Sequence, residues 1–204
     1  MPNWCTTSMV ITGPKNELEN LMDLLWEWTS KEYRKSDFGK NWLGNIVLGA
    51  GFETSENGGF KCRGAIVDLW EEPEEIDNGV YKFDIVYESA WCPVHDMWHA
   101  VLKKFAPSCK MYWYAEESGT LLYESNDINQ DFYIGDYVVN YYLEESNPLC
   151  EAFVSGETCT ASVLQERLGK IFGKKPLDAL IDEVNHMDFG EYDYFHVEPI
   201  KFVA

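Results

Sequence analysis

Residues 65–87 read AIVDLWEEPEEIDNGVYKFDIVY, and this stretch decides the fold class. Ala65–Trp70 and Tyr81–Tyr87 are rich in Ile, Val and aromatic residues, which is typical of β-strands. The link between them is acidic and contains a proline and the Asn78-Gly79 pair, so we expect a hairpin with a wide loop. Because no helix separates these two strands, the sequence predicts an α+β protein.

The elements around this hairpin complete a pattern of strands and helices. They are a strand at 4–12, a helix at 15–32, a helical turn at 42–48, a helix at 94–105, and strands at 109–115 and 121–124. The first helix is predicted because Leu18, Leu21, Met22 and Leu25 recur at helical spacing after Pro14. The order strand, helix, strand, strand, helix, strand predicts a ferredoxin-like βαββαβ antiparallel sheet with two helices on one face. We expect this domain to cover residues 1–125.

Residues 126–204 show a different pattern and are predicted to form a C-terminal α/β extension packed on the first domain. The predicted elements are a strand or hairpin at 132–143, helices at 161–172 and 177–187, and a closing strand at 192–203. Gly173 to Pro176 separates the two helices, since neither residue continues a helix well.

Four short motifs occur in the same order as in a known group of proteins. They are Asn3-Trp4-Cys5, Asn41-Trp42-Leu43-Gly44, Ala90-Trp91-Cys92-Pro93 and Tyr114-Ala115-Glu116-Glu117-Ser118-Gly119. Together they resemble the YubB ferredoxin-like domain family of phage and plasmid proteins over about residues 1–125. Cys92 and Val94 depart from the Ser and Pro that are usual there. The resemblance implies a ferredoxin-like shape and an origin on a mobile genetic element, without a cofactor, an iron–sulfur cluster or known catalytic residues.

The charge of the chain is strongly negative and unevenly distributed. Net charge is −19, from 35 acids against 16 bases, and the 56 residues between Lys110 and Arg167 hold eleven acids and no base. Such a field repels nucleic-acid phosphates, because binding them requires Lys and Arg to replace counterions; direct DNA or RNA binding is therefore disfavoured. Two interpretations stay open: a surface that keeps the protein soluble, or a surface addressed to a basic protein partner.

The predicted partner-binding residues are acids and tyrosines of this base-free stretch. They are Glu116, Glu117, Tyr123, Glu124, Asp127, Asp131, Tyr133, Asp136, Tyr137, Glu144 and Glu145. Tyrosine suits an interface because it offers a large contact area at little entropy cost, although an ordinary exposed sheet face has a similar composition. We expect a non-enzymatic protein of a phage or other mobile element that acts by protein–protein binding. One version is counter-defence, in which the surface acts as a nucleic-acid mimic and occupies a basic nucleic-acid-binding groove.

The alternative is a metal-binding or thiol enzyme centred on Cys92, His95 and His99. These positions fall on one face of the predicted second helix, and Asp96 or Cys109 could supply a fourth ligand. Cys92 also lies near the start of that helix, where the helix dipole favours a thiolate. Because exposed or hydrogen-bonded histidines and packing or capping cysteines are the more common explanation of such residues, we predict no metal site and no cofactor, and we favour a protein without enzymatic activity.

The composition also predicts where in the cell the protein is found. No stretch of 18 apolar residues and no signal peptide occur in the sequence, so we predict a cytoplasmic protein without a membrane span. Six cysteines without a C-x-x-C pair are expected to be reduced thiols.

Four tryptophans, Trp4, Trp42, Trp91 and Trp113, are expected in the core or on a sheet face. Oligomeric state and partner identity are left open.

Overall fold

The computed structural model describes residues 3–30 and 38–203 and has an α+β fold. The chain divides into two units, Met1–Leu122 (unit 1) and Tyr123–Ala204 (unit 2). Throughout the described ranges, each helix is too short or too polar to cross a membrane.

Unit 1 is built on an antiparallel sheet with β1 and β4 at its centre. Its strands are β1 (Trp4–Pro14), β2 (Gly64–Leu69), β3 (Glu74–Asp77), β4 (Val80–Ala90) and β5 (Lys110–Glu117). They lie in the order β5-β1-β4-β2, and β3 pairs with the start of β4. Residues of β1 alternate between the two faces of the sheet, so Cys5, Met9 and Ile11 are all buried on one of them.

The helices of unit 1 begin and end close to the predicted positions. They are α1 (Lys15–Thr29), α2 (Leu43–Gly49) and α3 (His95–Phe105). α1 contacts β1, β4, α2 and α3, and it buries Leu18, Leu21 and Leu25, as an amphipathic helix does. Pro14 precedes its first turn with φ at −64°, the value that the proline ring fixes. Residues 31 and 32 of the predicted first helix lie outside the described residues.

The link between β2 and β4 differs from the predicted wide loop. Four of its residues form β3, which turns into β4 at Asn78-Gly79, where Gly79 has φ +84°. The acidic strand tolerates this pairing because Lys82 lies between two carboxylates, 3.7 Å from Glu74 and 3.0 Å from Asp84. The tight turn is the one that Asn-Gly favours, since glycine adopts positive φ at no steric cost.

Unit 2 contains short strands and three helices. The strands are β6 (Leu122–Ser125), which spans the unit boundary, β7 (Tyr137–Tyr142), β8 (Glu157–Cys159), β9 (Tyr194–Pro199) and β10 (Lys201–Phe202). The helices are α4 (Pro148–Ala152), α5 (Ala161–Phe172) and α6 (Leu177–Asn185). A three-stranded antiparallel sheet has the order β8-β7-β9, and β10 pairs with β6 in parallel. The hydrophobic core of unit 2 lies between the three-stranded sheet and the helices. It includes Val139, Leu164, Leu168, Leu180 and Phe195.

Two predictions for this part of the chain are corrected by the structure, and two short elements had not been predicted. Only Tyr137–Tyr142 of the predicted strand or hairpin at 132–143 is a strand. The closing strand is divided after Pro199, because Ile200 bonds to Asp136 and the chain then joins β6. The sequence pattern also missed α4 and β8, which are too short to show a period. The helix predicted at 161–172 has the predicted limits.

Candidate functional site

Three of the predicted partner-binding residues are buried and have structural roles. Glu117, Tyr123 and Asp127 are 4%, 3% and 1% exposed. A side chain this deep offers no surface to another protein, so their assignment as contact residues is wrong. Each of the three makes hydrogen bonds inside its own unit that compensate for its burial.

Glu117 lies at the end of β5 and closes the turn that follows. It accepts hydrogen bonds from the backbone of Gly119 at 2.7 Å and from the hydroxyl of Thr120. Burial alone would raise the pKa of this carboxyl, but the bonds from Thr120, Gly119 and the Asn3 amide outweigh it and hold the pKa below its usual range. The charge of Glu117 therefore stabilises a turn.

Asp127 organises the loop that replaces the predicted start of the strand. Its carboxylate accepts the backbone N–H groups of Asp131 at 3.1 Å, Phe132 at 2.7 Å and Tyr133 at 2.9 Å. Three donors on one carboxylate fix the loop, as aspartate does in turns. Tyr123 is held differently, since its hydroxyl accepts a bond of 2.8 Å from the Asn140 amide.

Several of the remaining predicted residues are also engaged within unit 2. Tyr137 packs against the core of the unit. Asp136 accepts bonds from the Gln130 amide and from the backbone of Ala161 at the start of α5, both at 2.8 Å. Glu124 pairs with Lys201 at 3.0 Å. Within unit 2, Asp131, Glu144 and Glu145 remain as exposed acids, and Tyr133 is half-buried. In unit 1, Glu116 is half-buried and accepts a bond from Tyr114.

Exposed tyrosines do gather with acids, but at one end of the β7–β9 pair. Tyr142 lies directly opposite Tyr194 in the antiparallel register, and the two are 65% and 44% exposed. Tyr192, two residues before Tyr194, is 77% exposed. The chain leaves β7 through Glu144 and Glu145 and reaches β9 from Glu191, so these exposed carboxylates lie at the same end of the sheet. We name the six residues the tyrosine–acid patch: Tyr142, Glu144, Glu145, Glu191, Tyr192 and Tyr194.

Hydrogen bonds and core packing hold the backbone that carries the patch. The carbonyl of Glu144 accepts the N–H of Asn147 at 2.9 Å, and the Asn147 side chain caps α4 by accepting from Leu149 at 3.0 Å. On the other strand, Phe195 is 1% exposed and anchors β9 in the core beside Tyr194. Residues 176–200 contain no Lys or Arg, and 111–166 contain none either. The patch is thus built from two segments without bases.

The sequence interpretation missed Tyr192, Tyr194 and Glu191. The signal was present, because Tyr194 and His196 alternate with the buried Phe195 and Val197, which is the period of a strand with one exposed face. What the sequence lacked was the pairing that brings Tyr194 to Tyr142.

In the predicted Cys/His cluster, His99 lies apart from Cys92 and His95. Cys92 and His95 line a cavity of about 340 Å³, whereas His99 lines a different one. The His95 ring stacks on Trp113, with the ring centroids 3.6 Å apart. Over residues 3–30 and 38–203, no group of three or more His, Cys, Asp or Glu side chains is arranged to hold a metal ion.

The four sequence motifs meet at one end of unit 1. The backbone carbonyl of Asn3 accepts the N–H of Trp91 at 2.9 Å, the Asn3 side chain bonds Glu117, and Trp42 forms a β-bridge with Ala65. Trp91 has φ +71°, a conformation that is rare for a bulky residue. Motifs distant in sequence therefore build one local structure.

The four tryptophans of these motifs, which were predicted in the core or on a sheet face, differ in exposure. Trp113 is buried at 3% exposure, and Trp42 is half-buried. Trp4 and Trp91 are 47% and 51% exposed. Two of the four tryptophans therefore lie at the surface of unit 1.

Comparison of the chain with family models, curated proteins and solved structures found no match. The candidate sites therefore rest on their geometry.

Proposed function

We propose that this protein acts without catalysis, by using the tyrosine–acid patch to bind a cationic segment of another protein. One observation carries the proposal: Tyr142 and Tyr194 form an exposed cross-strand pair flanked by Glu144, Glu145 and Glu191. Among the described residues, these three carboxylates have no ion-pair partner.

The chemistry of the patch suits arginine and lysine side chains. A guanidinium stacks on a tyrosine ring through its π face while it forms a bidentate pair with a carboxylate. Tyr142 and Tyr194 are fixed by the strands that carry them, so little side-chain entropy is lost when a partner binds. Glu144, Glu145 and Glu191 then supply the charges that pair with the partner.

The charge of the whole of unit 2 strengthens attraction to such a partner. Residues 123–204 carry sixteen acids and five bases. Four of the bases pair with acids outside the patch, in Arg167–Glu157, Lys170–Glu166, Lys175–Glu183 and Lys201–Glu124. The negative field at the patch is therefore not neutralised locally, and it speeds encounter with a basic surface.

A ferredoxin-like fold of unit 1 belongs to the same proposal. The four long strands, taken in chain order, lie in the spatial order 4-1-3-2, which is β5-β1-β4-β2. α1 follows the first of these strands, α3 follows the third, and the two helices contact each other. This arrangement supports a split βαβ unit. It also supports the proposed relationship to proteins of phages and plasmids.

The proposed setting is the cytoplasm of a bacterial host, where the protein counters defence by occupying a basic nucleic-acid-binding groove. All six cysteines are free thiols, which supports a reducing compartment. Carboxylates gathered at one end of the β7–β9 pair take the place of phosphates in a groove that binds nucleic acid.

The test measures binding of the full chain to a fluorescent peptide of alternating Arg and Gly at about 50 and about 300 mM salt. The patch variant carries Glu144→Gln, Glu145→Gln and Glu191→Gln. A matched control carries Glu27→Gln, Glu71→Gln and Glu72→Gln, three exposed acids of unit 1 that change the net charge equally.

We expect the patch variant to bind about tenfold more weakly at low salt and the control to bind nearly as the unchanged protein does. A further variant, Tyr142→Ala with Tyr194→Ala, is expected to weaken binding at both salt concentrations, because stacking is less sensitive to salt. If the patch variant and its control lost the same amount of binding affinity, the effect would depend on net charge alone, and the proposal would be contradicted.

A further inference from the structure

A second candidate site lies in unit 1, at the end where the four motifs meet. A cavity of about 650 Å³ opens there, and its lining includes Trp4, Phe38, Trp42, Glu56 and Arg63. We name it the aromatic cavity. Its volume is in the range of sites that hold small molecules, which are concave and largely apolar with a few polar groups.

The apolar part of the aromatic cavity consists of exposed ring faces. Trp4 is 47% exposed and Phe38 is 72% exposed. The rings of Phe38 and Trp42 lie 4.9 Å apart at an angle of 41°. Aromatic rings left open to water inside a concavity gain free energy when a flat apolar group covers them.

The aromatic wall is held rigidly by a buried amide. The side chain of Asn45 is fully buried and donates to the carbonyls of Gly39 at 2.9 Å and Lys40 at 3.0 Å. These two bonds fix the chain between Phe38 and Trp42. The Trp42 ring also lies over Gly44, where an added Cβ would come within 2.3 Å of the ring. The rings are therefore preorganised for binding.

Thr54 and Glu56, which also line the cavity, belong to a constrained turn. Thr54 accepts backbone bonds from Asn57 and Gly59, both at 2.9 Å, and closes a short 3-10 turn. A Cβ on Gly59 would lie 1.8 Å from the carbonyl oxygen of Glu53, so only glycine fits this turn. Glu56 is part of the turn and is exposed to the cavity and to solvent.

The lining of the aromatic cavity carries one acid and one base, Glu56 and Arg63, so it lacks the negative excess of the chain. Residues 38–65 contain three bases and two acids, in a protein of net charge −19. Arg63 is exposed and forms no ion pair with any described residue, although acids outnumber bases twofold in the chain. A guanidinium that lines a cavity without a carboxylate partner is suited to bind an anionic group.

We propose that the aromatic cavity binds a mononucleotide, whose base stacks on Trp4, Phe38 and Trp42 and whose phosphate pairs with Arg63. The Glu56 carboxylate accepts a hydrogen bond from an amino group on the edge of the base, as carboxylates do from cytosine. This combination favours bases that carry an exocyclic amino group over uracil.

The negative field of the protein limits the ligand to a small one. A polynucleotide would bring many phosphates to a protein of net charge −19, which has too few bases to replace their counterions. A mononucleotide brings one phosphate to one guanidinium and places its base on the rings, where stacking does not depend on charge. The proposal is independent of the tyrosine–acid patch in unit 2.

The test is calorimetric titration of the full chain with CMP, AMP and UMP. Cytidine and adenosine serve as ligands without phosphate, benzoate as a flat carboxylate, and inorganic phosphate as the anion alone. We expect saturable binding of CMP or AMP, about tenfold stronger than that of the matching nucleoside, because one charge-assisted pair contributes that much. UMP, benzoate and inorganic phosphate are expected to bind at least tenfold more weakly than the best nucleotide.

Two variants assign the parts of the site. Arg63→Ala removes an exposed side chain without a partner, so it should fold normally and bind nucleotide and nucleoside equally. Trp4→Ala should weaken the binding of nucleotide and of nucleoside by a similar factor. Matched controls are Lys103→Ala, an exposed base on α3, and Trp26→Ala, a 43% exposed tryptophan on α1, and neither should change binding.

The proposal is overturned if no mononucleotide binds with a Kd below about 5 mM, since a larger Kd means negligible affinity. It is also overturned if Arg63→Ala leaves the preference for nucleotide over nucleoside unchanged. Stronger binding of an oligonucleotide than of a mononucleotide, or benzoate binding equal to that of CMP, would contradict it as well.

Discussion

The carboxylate of Asp127 accepts the backbone N–H of Phe132 at 2.7 Å, five residues further along the chain. The sequence presented Asp127 as one more acid in a base-free stretch. In the structure it is 1% exposed and holds the loop before β7. A carboxylate in this position stabilises the fold and cannot contact a partner.

Asp127→Ala is therefore expected to destabilise unit 2. The variant leaves the N–H groups of Asp131, Phe132 and Tyr133 without their acceptor, which costs about 1–3 kcal/mol when such groups are buried. Urea denaturation measures the loss, and hydrogen exchange should be faster at these three amides. Asp131→Ala is the control, because its side chain is exposed, and it should change stability little. Equal effects of the two changes would contradict the assigned role.

The low pKa of Glu117 predicts a dependence of stability on pH. Because the pKa of its carboxyl is lower in the folded state than in the unfolded chain, the stabilisation is present above the unfolded pKa of about 4.3 and is lost as pH falls through the folded value. Glu117→Gln should therefore be less stable than the unchanged protein at about pH 7, and the difference should shrink below about pH 4. Denaturation midpoints across this range measure it. Glu27→Gln, at an exposed site on α1, should show a constant difference near zero.

Two glycine substitutions are expected to have opposite effects. Gly44→Ala would place a Cβ 2.3 Å from the Trp42 ring, so the ring must move and stability should fall by about 1–3 kcal/mol. Gly169→Ala lies within α5, with no atom within 4 Å of the added Cβ, and should raise stability by about 0.5–1 kcal/mol. Thermal unfolding measures both, and a shift in tryptophan fluorescence should accompany only Gly44→Ala. Destabilisation by Gly169→Ala would contradict the open environment of that site.

Local periodicity was sufficient for the regular elements. α5 has the predicted limits of 161–172, and α1 begins at the predicted residue, because apolar residues three and four positions apart define a helix face without reference to the rest of the chain. Asn78-Gly79 also carried its own signal, but the sequence did not show that Lys82 would allow an acidic strand to pair there. Charge pairing across strands depends on register, which is not a local property.

The sequence by itself determined the α+β class, the order of the main elements and the excess of negative charge. Tertiary structure decided which acids and aromatic residues are available, because burial and hydrogen bonding depend on segments that are distant in the chain. Tyr142 meets Tyr194 only through the β7–β9 register, and Trp4 meets Trp42 and Arg63 only where three segments converge. Asp127 and Glu144 have the same charge, yet one holds a loop and the other faces solvent. The difference lies in the backbone donors that the fold brings to each carboxylate.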